Sequence, residues 1–86
     1  MKKLEKTLKA LANRRRLAIL KHLKENREAS VGDIANTIDL SFKATSKHLS
    51  ILAAIDIIER EQKSSQVFYR VARHQEPISE YLISLL

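Results

Sequence analysis

The sequence predicts a mainly α fold of five helices, with one small β-hairpin set between the fourth and the fifth. Three observations carry that expectation. Apolar residues recur at three- and four-residue spacing up to Ala54. After Asp56 the period shortens to two, where Val67, Tyr69 and Val71 alternate with Phe68 and Arg70. Pro77 then stands where a closing helix can begin, because a helix's first position needs no amide hydrogen.

Leu4, Leu8 and Leu11 mark one side of a first helix over about residues 3 to 12. Asn13 can cap a second helix, in which Leu17, Leu20 and Leu23 repeat with Ala18 and Ile19 broadening the face. That pattern dissolves between Glu25 and Ala29. Ser30 and Asp33 fit the logic of a capping box, so a third helix runs to about Ile38, anchored by Ile34 and Ile38. Ser41 caps the fourth, with only Leu40 between it and the third. Two short helices so joined read as a helix-turn-helix, which lowers its second helix into a DNA major groove.

At about 100° per residue, Phe42, Thr45, Leu49, Leu52 and Ala53 fall on the core side of the fourth helix. Lys43, Ala44, Lys47, Ser50 and Ile51 fall on the outward side. The hairpin turn around Lys63 to Ser65 lacks glycine, so a longer and looser connection than a two-residue primed turn is expected.

Eighty-six residues make a single domain, 1–86, and an apolar content of 44% is that of a globular chain despite 30% charged residues. Lysine and arginine outnumber acids 16 to 10, a net charge of +6, so the natural partner is a polyanion, nucleic acid before an anionic membrane surface. Between Leu40 and Ile55 stand Lys43, Lys47 and His48 with no aspartate or glutamate, a helix suited to meet phosphate. With no cysteine there is neither a thiolate metal site nor a cysteine nucleophile. Gly32 is the only glycine, which excludes a glycine-rich phosphate loop, and no nucleophile, base and orienter can be assembled; an enzyme is not expected. No stretch resembles a signal peptide or approaches ~18 apolar residues, so the chain reads as soluble, cytoplasmic and independent of membranes.

The segments LKALANRRRLAIL, LSFKATSKHLSILAAIDII and QVFYRV resemble, in order and spacing, three signature blocks of the ArsR/SmtB family of small dimeric repressors. The resemblance spans roughly residues 4 to 72 and implies a winged helix-turn-helix, α-α-α-α-β-β-α. It further implies that the amino-terminal half of the fourth helix enters the major groove, through Phe42, Lys43, Ser46 and Lys47 with Ser41 on the backbone. The two lysines are supported independently, since lysine donates to guanine acceptors or to phosphate. Phe42 stands where the family has a polar residue; its place on the wheel suggests a staple into the core, with contact to a thymine methyl as the alternative. His48 matches a frequent family histidine and suits either a structural hydrogen bond or a DNA contact.

Arg60, Lys63, Ser64, Ser65 and Gln66 match the family's wing, which touches phosphates or the minor groove, although Glu59 and Glu61 weaken that case. Arg14, Arg15 and Arg16 crowd a helix amino terminus, where positive charge opposes the macrodipole. The family assigns a structural role to the position of Arg16, which leaves Arg14 and Arg15 for phosphate.

Ile78, Tyr81, Leu82, Ile83, Leu85 and Leu86 occupy a wider arc of the last helix than one core contact needs. Relatives dimerise through their first and last helices, which implies a homodimer using Leu4, Leu8, Ile78, Leu82 and Leu85. Where relatives carry metal-binding cysteines at the start of the third helix, this chain has Ser30, Val31, Gly32 and Asp33. His74 precedes the last helix, and Glu76 and Glu80 have no histidine at helical spacing, so neither metal nor cofactor is expected. The expected function is that of a dimeric, sequence-specific regulator of transcription, a repressor that occupies a palindromic operator on double-stranded DNA. The competing expectation is a winged-helix module that docks on protein and never touches DNA.

Overall fold

Asn13 sets the first corner of the chain. Helix α1 (Lys2–Leu11) ends there, and the extended backbone of Asn13 lets its Oδ1 accept from the amides of Arg15 (2.9 Å) and Arg16 (3.1 Å), opening α2 (Arg14–Glu25). The structure, a computed structural model, describes residues 1–86.

Where the helical period dissolves, the chain makes a two-residue strand, β1 (Ala29–Ser30), that the sequence reading left unassigned. Two residues are too few to show an alternation, and the partner that defines the strand lies far along the chain: Ala29 pairs with Tyr69 and Ser30 with Phe68. The Ser30 hydroxyl then accepts from the Asp33 amide (3.2 Å) and caps α3 (Val31–Ile38). Ser41 does the same for α4 (Phe42–Ala54) through the Ala44 amide (3.1 Å).

The connector between α3 and α4 is wider than Leu40 alone. Asp39 takes the left-handed conformation (φ 54°), which sends the Leu40 amide back to the Ala35 carbonyl (3.0 Å) and the Asp39 amide to Asn36 (3.4 Å). Helix α4 closes on the same device. Asp56 (φ 59°) bonds Ala53 (3.0 Å) and Ile57 bonds Leu52 (3.3 Å). These are Schellman closures with aspartate in the place usually held by glycine, a role its short polar side chain tolerates.

Strands β2 (Ile58–Lys63) and β3 (Gln66–Val71) pair antiparallel, and β1 adds to the far side of β3, giving the order β1-β3-β2. The turn is tight, not loose as the sequence suggested. Lys63 pairs with Gln66, only Ser64 and Ser65 remain between them, and Ser64 adopts the positive φ (55°) that primed hairpin turns require. Cross-strand pairing thus imposes on serine a conformation that sequence reasoning reserves for glycine or asparagine. Helix α5 (Pro77–Ser84) starts on its proline as expected.

The core joins Ile19, Leu20 and Leu23 of α2 to Ile34 of α3, Leu49 and Leu52 of α4, Ile57, Ile58 and Tyr69 at the root of the sheet, and Ile83 of α5. One expected face is shifted: in α2 Ala18 is exposed and Leu17 half-buried. Helix α1 buries Thr7, Ala10 and Leu11 and leaves Leu4 and Leu8, expected at a dimer seam, exposed. No helix is long and apolar enough to cross a membrane.

The left-handed aspartates generate a test of this architecture. Asp39→Val should destabilise the fold by about 1–2 kcal/mol, because a β-branched side chain collides with its own carbonyl at positive φ. Asp39→Gly should leave the thermal midpoint close to wild type; equal midpoints for valine and glycine would count against the turn geometry.

Candidate nucleic-acid interface

Complete burial of Thr45, Leu49 and Leu52 sets the rotation of α4 about its axis. The opposite face carries Lys43, Lys47 and Ser50 exposed and Ser46 half-exposed, with Ser41 exposed at the cap. Ala44 and Ile51, expected outward, are half-buried. Neither lysine enters an ion pair; the five ion pairs of the molecule lie on α1, α5, the wing and the segment before β1.

Phe42 corrects the sequence reading. The residue is 64% exposed and does not staple into the core, although it lies only about 20° around the wheel from Leu49, which is fully buried. Phe42 is the first residue of the helix, and helical Cβ atoms tilt toward the amino terminus, so its ring projects past the end of the core.

The amino terminus of α2 braces this helix. Arg16 donates through Nε to the Ala10 carbonyl, through Nη2 to the Lys9 carbonyl (3.4 Å) and through Nη1 to Nδ1 of His48 (3.1 Å). The structural role expected of Arg16 is therefore visible: it fastens the end of α1 to the middle of α4. Arg15, expected to be free for phosphate, instead donates to the Ile38 carbonyl (3.1 Å) and closes the carboxy terminus of α3, where a cation suits the helix dipole. Arg14 stays exposed and unpaired.

Arginine only donates, so Nδ1 of His48 accepts and the neutral ring carries its proton on Nε2. Burial, then Arg16, Arg15 and Lys47, push the pKa of His48 below its ordinary 6.5.

The wing sorts its charges by face. Glu59, Glu61 and Lys63 alternate with Arg60 and Gln62 along β2. Arg70 on β3 grips both acids, Glu59 at 3.0 Å and Glu61 at 2.6 Å, and Glu59 also accepts the Arg73 amide (3.1 Å), the main reason its pKa lies below the usual carboxylate value. Lys63, on that same face, pairs with Glu28 (2.8 Å) and rests over the Phe68 ring. Arg60 lies on the other face, opposite Tyr69, and lines a cleft of about 500 Å³ with Phe42, Ser46, Ser65, Gln66 and Val67. The expected wing residues are thus divided: Arg60 and Ser65 share the cleft beside α4, Lys63 is occupied on the far side, and Ser64 forms the tip.

Away from this face, Leu4, Leu8, Ile78, Tyr81 and Leu85 are exposed, whereas Leu82 is half-buried and packs against the protein's own core. An ion pair between Lys3 and Glu76 links the start of α1 to the start of α5. His22, His48 and His74 stay apart, and no three histidine or acidic side chains converge.

The depressed His48 pKa has a definite consequence for stability. In the unfolded chain the ring takes up a proton near pH ~6.5, while in the fold it resists doing so, hence stability is complete above that value and falls as pH drops below it. Thermal melts between pH 7.5 and 5.5 should show this decline, and His48→Gln should flatten it; an unchanged decline would remove His48 as its source.

The helix-turn-helix domain family matches residues 11–61, from the end of α1 into β2. The transcriptional activator HlyU of Vibrio cholerae is 40% identical over 65 residues, a stretch that is 76% of this chain and 59% of that protein's length. The structure of reduced HlyU superposes with a TM-score of 0.83 at 36% identity, covering 98% of this chain and 84% of the other. The homodimeric winged helix-turn-helix DNA-binding domain Mb0332 of Mycobacterium bovis reaches a TM-score of 0.84 at 28% identity, over 98% of this chain and 74% of its own. The transcriptional repressor BigR of Xylella fastidiosa gives 0.78 at 29% identity, over 92% and 74%. The chain belongs to the helix-turn-helix domain family, with the winged-helix fold of ArsR-like regulators.

Proposed function

We propose that this protein is a dimeric, sequence-specific regulator of transcription that binds double-stranded DNA through α4 and the Arg60 face of the wing, without the metal ligands found in many of its relatives. One observation carries the reading: the outward face of α4 is cationic and free of acids, and its two lysines have no internal partners. Lys43 and Lys47 have no carboxylate to leave when they meet phosphate or guanine. The capped amino terminus of the same helix offers its dipole to a phosphate beside Ser41.

The second subunit follows from the exposed apolar surface of α1 and α5. Leu4 (42% exposed), Leu8 (46%), Ile78 (38%) and Leu85 (64%) stand in water, and a surface of that kind is ordinarily an interface. Leu82, half-buried, would fill the seam from beneath. A two-fold axis there sets two α4 helices one duplex turn apart, ~34 Å, which calls for a palindromic operator. HlyU is named an activator and BigR a repressor, and the same binding face serves either outcome. Repression is the mode proposed here, by an operator overlapping the polymerase site in the cytoplasm.

Counterion release makes the central claim measurable. On random duplex, the affinity of the wild type should fall steeply with log salt, and Lys43→Ala with Lys47→Ala should reduce that slope by about 2, close to one per lost phosphate contact. Binding that ignores salt would favour a protein-docking module over a DNA reader, and binding that the double variant leaves intact would show the recognition-helix assignment to be wrong. For the seam, Leu8→Glu with Leu85→Glu should yield monomers by light scattering and weaken operator binding. Persistence of the dimer would place the interface elsewhere.

A further inference from the structure

We infer that Phe42 is a specificity-determining residue that packs on the C5-methyl group of a thymine in each half-site. This rests on the proposed binding of DNA through α4 and names one base feature that the helix reads. Phe42 opens α4, 64% exposed, on the cleft rim it shares with Ser46, one turn on, and next to Lys43 in the chain. Its exposure follows from its place at the helix end, and it is not part of the hydrophobic core. It also borders the cleft that runs to Arg60 and Val67 on the wing, the side from which a duplex would approach.

The chemistry of the major groove narrows what such a ring can meet. Base edges there present hydrogen-bond donors and acceptors, and the one apolar feature of unmodified DNA is the thymine methyl. Lys43, Ser46 and Lys47 match the polar edges and the phosphates. A phenyl ring matches none of these and loses water favourably only against a methyl group. Cytosine at that position would place the ring on a bare C5 edge next to an amino group, so the half-site should discriminate thymine from cytosine there.

The assignment can be tested with the full-length protein and an operator enriched from random duplexes, in which thymines are replaced one symmetric pair at a time by deoxyuridine, which lacks only the methyl. One pair should weaken binding about 4-fold when replaced in a single half-site and about 15-fold in both, the contribution of one buried methyl group per contact. Phe42→Ala should bind more weakly and lose that uracil penalty, with thermal midpoint and salt slope unchanged because the ring is neither core nor charge. At the same position, 5-methylcytosine should recover part of the affinity that cytosine loses. Tight binding with no uracil penalty at any thymine, or a penalty that survives in Phe42→Ala, would overturn the role of Phe42 while leaving DNA binding by α4 in place. Failure to enrich or bind any duplex would overturn the underlying reading and this assignment with it.

Discussion

Burial of Thr45, Leu49 and Leu52 against the α2 and α3 core is the constraint on which the rest of the surface depends. A helix docked by three side chains at helical spacing has one rotation available to it, since turning it by a single residue would expose leucine and bury lysine. Leu49 and Leu52 meet Ile19, Leu20 and Ile34 in one continuous cluster, so the position of the cationic face relative to the wing is inherited from hydrophobic packing. Electrostatics acts afterwards, on a geometry already set.

Polar contacts then stiffen the arrangement at its weak points. The ends of α3 and α4 close on left-handed aspartates, and the exposed carbonyl at the end of α3 is taken by Arg15. Arg16 ties two carbonyls at the end of α1 to a ring on α4, so three helices share one guanidinium. A cluster of three arginines at a helix amino terminus is unfavourable in isolation. Two of the three are spent on neighbouring helices, and the crowding is explained by tertiary partners instead of by phosphate.

The wing shows how a sheet separates charges that a linear reading mixes. Glu59 and Glu61 look like obstacles to a polyanion when counted along β2, yet strand alternation puts them beside Arg70 on the face turned away from α4. Arg60, one residue between them, faces the cleft with Phe42. Lys63, the other expected wing cation, is held by Glu28, a partner supplied by the segment before β1. Arg60 is thus the wing cation that faces the cleft beside α4.

Much of this was legible from the residues alone. The helix order, the caps at Asn13, Ser30 and Ser41 and the proline start of α5 are all local, governed by side chains within four residues of the backbone groups they serve. What stayed hidden depends on partners distant in the chain. Strand β1 exists only because β3 is there to pair with it, the tight Ser64–Ser65 turn is forced by the register across the hairpin, and Arg15 and Lys63 are engaged by groups 23 and 35 residues away. Phe42 marks the boundary most clearly. Periodicity gave its angle about the helix axis, but whether that angle meets core or solvent depends on where the neighbouring elements stop, which no spacing of residues encodes.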